Sequence, residues 1–372
     1  MPARSNASAS DPSTSGERLY NFCAGPASLP VEVLEEVKEE LPVYRDIGAS
    51  MLEISHRSKP YDRVEESARG RIKHLLGLTD EWNVLFLQGG ASMQFHQVPL
   101  NFLPSEGTAA YVDTGRWSTK AIKEAKLLGA VQVAASSKSS NFDRIPASDE
   151  WELNANASYV HITTNNTIYG TQFSTEPEVS APLVADASSD FLSRPIDTEK
   201  YGLIYAGAQK NVGPAGVTIV LVRDDFLERR NRPLPTMLDY GTHARRRFNT
   251  PPVFAIYLVE KVMRWLEAQG GVEAIAERND RKAALLYDRI DSSDFYQGHA
   301  RPADRSKMNV TFRLPSEKQE ELFCAEAEQA GLLSLAGHRS VGGVRASIYN
   351  ACPMEAVEAL VEFMEMFEQR HG

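Results

Sequence analysis

At 372 residues the chain exceeds the size at which one hydrophobic core keeps growing, so more than one domain is expected. With 42% hydrophobic and 24% charged residues it has the composition of an ordinary globular chain, and no apolar run approaches the ~20 residues that would cross a bilayer. A formal net charge of −10 argues against a nucleic-acid surface while leaving room for a local basic pocket.

Residues 1–18 are rich in Ser, Ala and Pro and nearly free of large apolar groups, which predicts a disordered N-terminal extension without the amphipathic pattern of a targeting helix. From Asn21 onward, short β-like apolar runs alternate with helical periodicity. The runs fall at 84–87, 109–112, 131–134, 159–162, 183–185, 203–206 and 217–222, and a helix is expected over 119–128 with Gly129 as its stop. This alternation predicts an α/β fold built on a mostly parallel, seven-stranded sheet flanked by helices. After Pro252 the pattern changes to long amphipathic helices at 253–269 and 272–290. A strand–helix–strand–helix unit follows at 309–314, 317–330, 344–348 and 354–369. The expected organisation is a large domain over 31–271 and a smaller α+β domain over 272–372, to which 19–30 returns. Cys23, Cys324 and Cys352 form neither a disulfide framework nor a CxxC pair, so a reducing cytoplasm is expected; the histidines show no HExxH spacing, and no metal is expected.

The chemistry centres on YGLIYAGAQKNVGPAGVTIVLVR, where Lys210 stands alone in a Gly-rich loop between two apolar runs. An ammonium among small and apolar groups loses hydration, its pKa falls, and the free amine becomes a nucleophile for carbonyls. Upstream, LVADASS puts Asp186 at the end of another apolar run. A lysine and a carboxylate at strand ends of one sheet are the pair that holds pyridoxal 5′-phosphate, the amine on the aldehyde and the carboxylate on the pyridinium nitrogen. In FLQGGASMQF a strand stops at two glycines and a helix opens, so the backbone N–H groups of Ala91 and Ser92 make a candidate phosphate cradle. Trp117 in DTGRWSTKA offers an aromatic face for a ring, and Thr167 in NNTIYGT a hydroxyl at a strand end. Two His-Arg pairs, His56–Arg57 and His338–Arg339, together with Arg345, suggest a pocket for a dianion plus a carboxylate.

From NFCAGPASLP through EISHRSK, FLQGGASMQF, VDTGRWS, NNTIYGT, VADASS, AGAQKNVGPAG and FNTPPVFAIY to HRSVGGVRASIYNACP, the chain resembles the phosphoserine aminotransferases, pyridoxal-phosphate enzymes of fold type I and class V. The resemblance covers nearly everything after residue 19. It implies that Lys210 is the Schiff-base lysine and proton shuttle, with Asp186 on the pyridine nitrogen, Trp117 stacked on the ring and Thr167 at the phenolic oxygen. It places the cofactor phosphate on Ala91, Ser92 and Gln209, joined by Asn249 and Thr250 of the partner subunit, which makes a homodimer with shared sites the expected assembly. Arg345 would take the substrate α-carboxylate; His56, Arg57, His338 and Arg339 would take the phosphate, or the γ-carboxylate of L-glutamate. The implied reaction moves the amino group of glutamate to 3-phosphohydroxypyruvate, giving O-phospho-L-serine, and extends in some family members to the phosphorylated keto acid of pyridoxine biosynthesis. Some members carry an arginine where this chain has Ser92. The competing readings are another class V aminotransferase and a catalytically silent pyridoxal-phosphate-binding regulator.

Overall fold

All seven apolar runs become strands of one sheet: β1 (Trp82–Leu87), β2 (Thr108–Asp113), β3 (Ala130–Ser136), β4 (Ala157–Thr163), β5 (Leu183–Asp186), β6 (Tyr201–Gly207) and β7 (Thr218–Arg223). The computed structural model describes residues 18–230 and 232–372, so the extension expected over 1–18 lies outside the described residues except for Arg18. Across the sheet the order is β1-β7-β6-β5-β4-β2-β3. Only β7 runs against its neighbours, pairing antiparallel with both β1 and β6. The other pairings are parallel.

Away from the edge strand β3, where Val133 is exposed, both faces of this sheet are buried, which is why those strands read as nearly continuous apolar runs. Successive side chains alternate between two cores. Val84, Phe86, Ala110, Val112, Ile162, Ile204, Ile219 and Leu221 pack toward α2 (Lys59–Leu76) and α5 (Val253–Ala268). Leu85, Leu87, Tyr111, Tyr159, Val184, Leu203, Tyr205 and Val220 pack toward α3 (Gly90–Phe102) and α4 (Arg116–Ala125). Helix α1 (Val31–Glu40) is tied to α5 by Lys261, a fully buried lysine bonded to Glu36 and Glu40 at 2.6 Å each.

Gly129 does not stop α4 in the way the local rule suggests. The helix ends at Ala125, its C-cap Lys126 stays right-handed, and the chain turns through Leu128 into β3. A Cβ at Gly129 would stand 2.9 Å from the Leu103 side chain, so close packing, rather than a left-handed cap, requires glycine there.

A third core gathers the C-terminal part of the chain around α6 (Gly271–Asp291), α7 (Glu317–Gln329), α8 (Met354–His371) and the strands β8 (Asn309–Arg313) and β9 (Val344–Ser347). Phe22 is buried in it, and Tyr20–Asn21 pair with Leu332–Leu333. In β9, Val344 and Ala346 face this core while Arg345 faces away from it, toward the edge of the large sheet.

Candidate active site

The loops leaving the C-terminal ends of β1, β2, β4, β5 and β6 converge on one cavity of ≈ 620 Å³, where ligands bind in open α/β sheets. Its wall includes Gly89, Gly90, Ala91, Ser92, Trp117, Thr167, Asp186, Gln209, Lys210, His338 and Arg345.

Lys210 leaves the sheet just after β6, and its Nζ donates to Thr167 Oγ1 at 2.6 Å. It also lies 5.4 Å from the centre of the Trp117 ring. Loss of hydration pulls the amine down to about 8, helped by the Arg345 charge and opposed by Asp186. At a pKa of about 8, on the order of a tenth of the amine is free at neutral pH, far more than for an ordinary lysine, as carbonyl chemistry and proton transfer require. Asp186 ends β5, in register with Thr163 on one side and Tyr205 on the other. Burial raises its carboxyl, against the Lys210 charge and the Ser188 bonds. Ser188 supplies both of those bonds, from N at 3.0 Å and Oγ at 2.6 Å, to Oδ1, and the same hydroxyl accepts from Gly207 N–H at 3.1 Å. Oδ1 is thereby anchored to β6, and Oδ2 is left for a donor in the cavity.

Helix α3 opens at Gly89 and Gly90, whose φ of 96° and 63° lie in the left-handed region that favours glycine. The first helical bond is Met93 N–H to the Gly89 carbonyl, so the N–H groups of Ala91 and Ser92 point free of the helix. Gly115 does the corresponding work for Trp117. Its φ is 146°, and a Cβ there would meet Asn166 Nδ2 at 2.3 Å, so only glycine lets α4 start against the 165–172 hairpin. Ser118 Oγ accepts from the N–H groups of Thr114 and Gly115 at 3.0 Å each, fixing the turn that aims Trp117 into the cavity.

Arg345 reaches the cavity from β9, with Nη1 donating to the Thr167 carbonyl at 3.3 Å. Its Nε is buried without a hydrogen-bond partner, and burial pushes its pKa down. A desolvated, half-satisfied guanidinium is a receptor for a carboxylate. Behind it, a set of buried asparagines joins the Arg345 strand to the Lys210 loop. Asn350 is 0% exposed; its N–H donates to Asn211 Oδ1 at 2.9 Å, its Nδ2 to the Leu192 carbonyl at 2.9 Å, and its Oδ1 accepts from Asn279 at 2.8 Å. Lys282, also buried, donates from Nζ to the carbonyls of Ile348, Tyr349 and Cys352, holding the turn that follows β9.

The cavity thus unites Ala91, Ser92, Trp117, Thr167, Asp186, Gln209, Lys210, His338 and Arg345. It does not include His56, Arg57, Arg339, Asn249 or Thr250. His56 is half-buried, with its carbonyl accepting from Arg247; Arg57 and Arg339 are exposed. Asn249 donates to Gln88 at 2.8 Å and lines a second cavity that shares Gly89 with the first. Sequence reasoning overlooked Ser188, Asn350 and Lys282. The Asp-x-Ser spacing of a side-chain turn flags Ser188, whereas nothing local marks the other two.

The donor set fits a phosphorylated pyridine. Backbone N–H groups at a helix N-terminus suit the phosphate, Asp186 Oδ2 suits a ring N–H, the Trp117 face suits the ring, and a lysine of lowered pKa suits the aldehyde.

The family model for aminotransferase class-V matches residues 19–360. The chain is 53% identical over 359 residues to the phosphoserine aminotransferase of Lysinibacillus sphaericus, spanning 95% of this chain and 99% of that one. Among solved structures it is similar to phosphoserine aminotransferase from Bacillus circulans subsp. alkalophilus, with a TM-score of 0.93 and 51% identity over 95% of this chain and 99% of that one. It is likewise similar to the PLP-bound phosphoserine aminotransferase from Trichomonas vaginalis, with a TM-score of 0.90 and 41% identity over 94% of this chain and 100% of that one.

Proposed function

The chain belongs to the class-V aminotransferase family, and from that premise we propose that it moves the amino group of L-glutamate to 3-phosphohydroxypyruvate, giving O-phospho-L-serine and 2-oxoglutarate. One observation carries the reading: the Lys210 amine, the Asp186 carboxylate and the Arg345 guanidinium open onto one cavity whose wall includes a helix N-terminus. Pyridoxal 5′-phosphate is the cofactor of this family, and when bound it supplies an electron sink for charge developing at the substrate Cα.

Ala91 and Ser92, through their N–H groups, and Gln209 would hold its phosphate. Asp186 would keep its ring nitrogen protonated, Trp117 would stack on the ring, and Thr167 would reach the phenolic oxygen. Asn249 and Thr250 of the partner subunit would complete the phosphate site in a homodimer. Lys210 Nζ would take the proton from the substrate Cα and hold it for redelivery; its lowered pKa suits it to act as a base near neutral pH. Arg345 orients the α-carboxylate so that the Cα–H faces that amine. His338 and Arg339, with His56 and Arg57, would receive the phosphoryl group in one half of the reaction and the γ-carboxylate of glutamate in the other. Alanine or glyoxylate would leave these cations without a partner.

The test is the absorbance of the purified, cofactor-loaded protein before and after O-phospho-L-serine, with L-serine as control. A cofactor band that shifts with phosphoserine and not with serine supports cofactor, reaction and phosphate selectivity together. A band that ignores phosphoserine and responds to alanine or cysteine overturns the substrate. No band after added cofactor overturns the role of Lys210.

A further inference from the structure

His56, Arg57, Asn249 and Thr250 stand outside the cavity, yet one guanidinium ties their two segments together. Arg247 lies two residues before Asn249. Its Nη1 donates to the His56 carbonyl at 2.5 Å. That carbonyl belongs to the planar peptide joining His56 to Arg57, so the bond fixes the base from which both side chains leave. The same guanidinium reaches the first turns of α2, with Nη1 and Nη2 each 3.1 Å from Asp62 Oδ1 and Nε 2.8 Å from Glu65 Oε2. Its Cζ stands 5.0 Å from the centre of the Tyr61 ring. On the other side Asn249 Nδ2 donates to Gln88 Oε1 at 2.8 Å, and Gln88 precedes the Gly89–Gly90 turn that opens α3. Stability is a weak reason for this arrangement. The Arg247 side chain keeps 27% of its surface exposed and Asp62 keeps 40%, and ion pairs of that kind add little. Glu65 has a second partner in Arg69 at 2.6 Å, which remains if Arg247 is lost. What a planar fork of donors adds is geometry, because it holds several acceptors in one fixed relation.

We propose that Arg247 is a positioning residue that makes the His56–Arg57 segment and the Asn249–Thr250 segment one rigid unit. Recognition of the substrate side-chain anion and of the cofactor phosphate then depends on a single guanidinium. The inference rests on the reading of the chain as a phosphoserine-directed aminotransferase, with the roles given above for those four residues. Its physical basis is entropy. A side chain on a loop must be ordered to hold an anion, and ordering its backbone in advance removes part of that cost before the ligand arrives. Arg247 bonds the His56–Arg57 peptide directly and holds Asn249 only through the intervening chain, so the substrate effect is the larger of the two.

The experiment uses the cofactor-loaded wild type and the variants Arg247→Met, Arg247→Lys and Arg69→Met. Methionine keeps an apolar stem on the Tyr61 ring and drops the fork, while lysine keeps the charge and drops the fork. Arg69→Met removes an ion pair from the same Glu65 and leaves the His56 carbonyl alone. Each half-reaction is followed by cofactor absorbance, with O-phospho-L-serine and with L-glutamate, and release of cofactor is followed on dilution. For Arg247→Met, KM is expected to rise about tenfold with both amino acids and the cofactor Kd about threefold. Its kcat should stay at the wild-type value, because Lys210, Asp186 and Arg345 keep their contacts. Arg247→Lys should follow Arg247→Met, and Arg69→Met should change the Tm with KM and Kd unmoved. A rise in KM without a rise in Kd, the reverse, or no change in either overturns the proposal. Full rescue by lysine assigns the effect to charge at a distance, and equal losses in Arg69→Met assign it to the stability of α2; each overturns the proposal as well. A wild type that ignores phosphoserine overturns the functional reading itself, an outcome distinct from a variant that keeps wild-type constants.

Discussion

Asn350 makes the strongest test of how the two halves of the site are held together. Its side chain bonds the Leu192 carbonyl and Asn279 Nδ2, while its backbone N–H takes Asn211, the neighbour of Lys210. Asn350→Ala deletes two side-chain hydrogen bonds at a site that is 0% exposed. Each is worth about 1 kcal/mol net, and leaving buried partners unsatisfied raises the total to about 2–4 kcal/mol. The nearest relief is a shift of the Ile348–Asn350 turn, which moves Arg345 relative to Lys210. Displacing a substrate by about 1 Å from its reactive geometry costs on the order of 100-fold, so kcat/KM should fall between ~10-fold and ~100-fold. Glutamate and phosphoserine both carry an α-carboxylate, so both should lose the same factor, with the cofactor spectrum unchanged. Steady-state kinetics with both substrates, beside cofactor titration and thermal melting, make the measurement. A lowered Tm with wild-type kinetics, or a loss confined to phosphoserine, would refute the linkage between this asparagine hub and Arg345.

Lys210→Ala should abolish turnover while the protein stays folded; near-wild-type activity would remove Lys210 from the mechanism. Arg57→Ala and Arg339→Ala should raise KM for phosphorylated substrates more than for unphosphorylated ones, and equal changes would argue that neither arginine meets the phosphate. Lys282 is held at about 8 by burial, below its ordinary 10.5. Between those values the unfolded chain binds a proton that the folded chain does not, so this residue's contribution to stability rises with pH, by roughly 3 kcal/mol across the window. Denaturant unfolding of wild type and Lys282→Met from pH 7 to 10 should show the difference shifting in favour of the wild type, and a flat difference would contradict the assignment.

The strands were legible because their signal is local. Apolar runs between Gly-rich turns have few other uses, and the isolation of Lys210 between two such runs follows from the same short stretch of chain. Asp186, Trp117, Thr167 and the Ala91–Ser92 turn could be named for a similar reason, since each sits where a run stops and backbone groups are freed. Gly129 marks where local rules yield: its glycine answers to Leu103, a residue from another element. The two His-Arg pairs look alike as sequence, yet His338 lines the cavity and His56 does not, because that depends on how β9 and the segment before α2 are carried around the sheet. Asn350 and Lys282 read as ordinary polar residues until packing brings residue 350 to 211 and 282 to 348. Sequence alone determined which side chains are candidates for chemistry, because that is a property of residue type and immediate neighbours. Their distances and their shared electric field were decided only by the tertiary structure, because both arise from contacts between segments far apart in the chain.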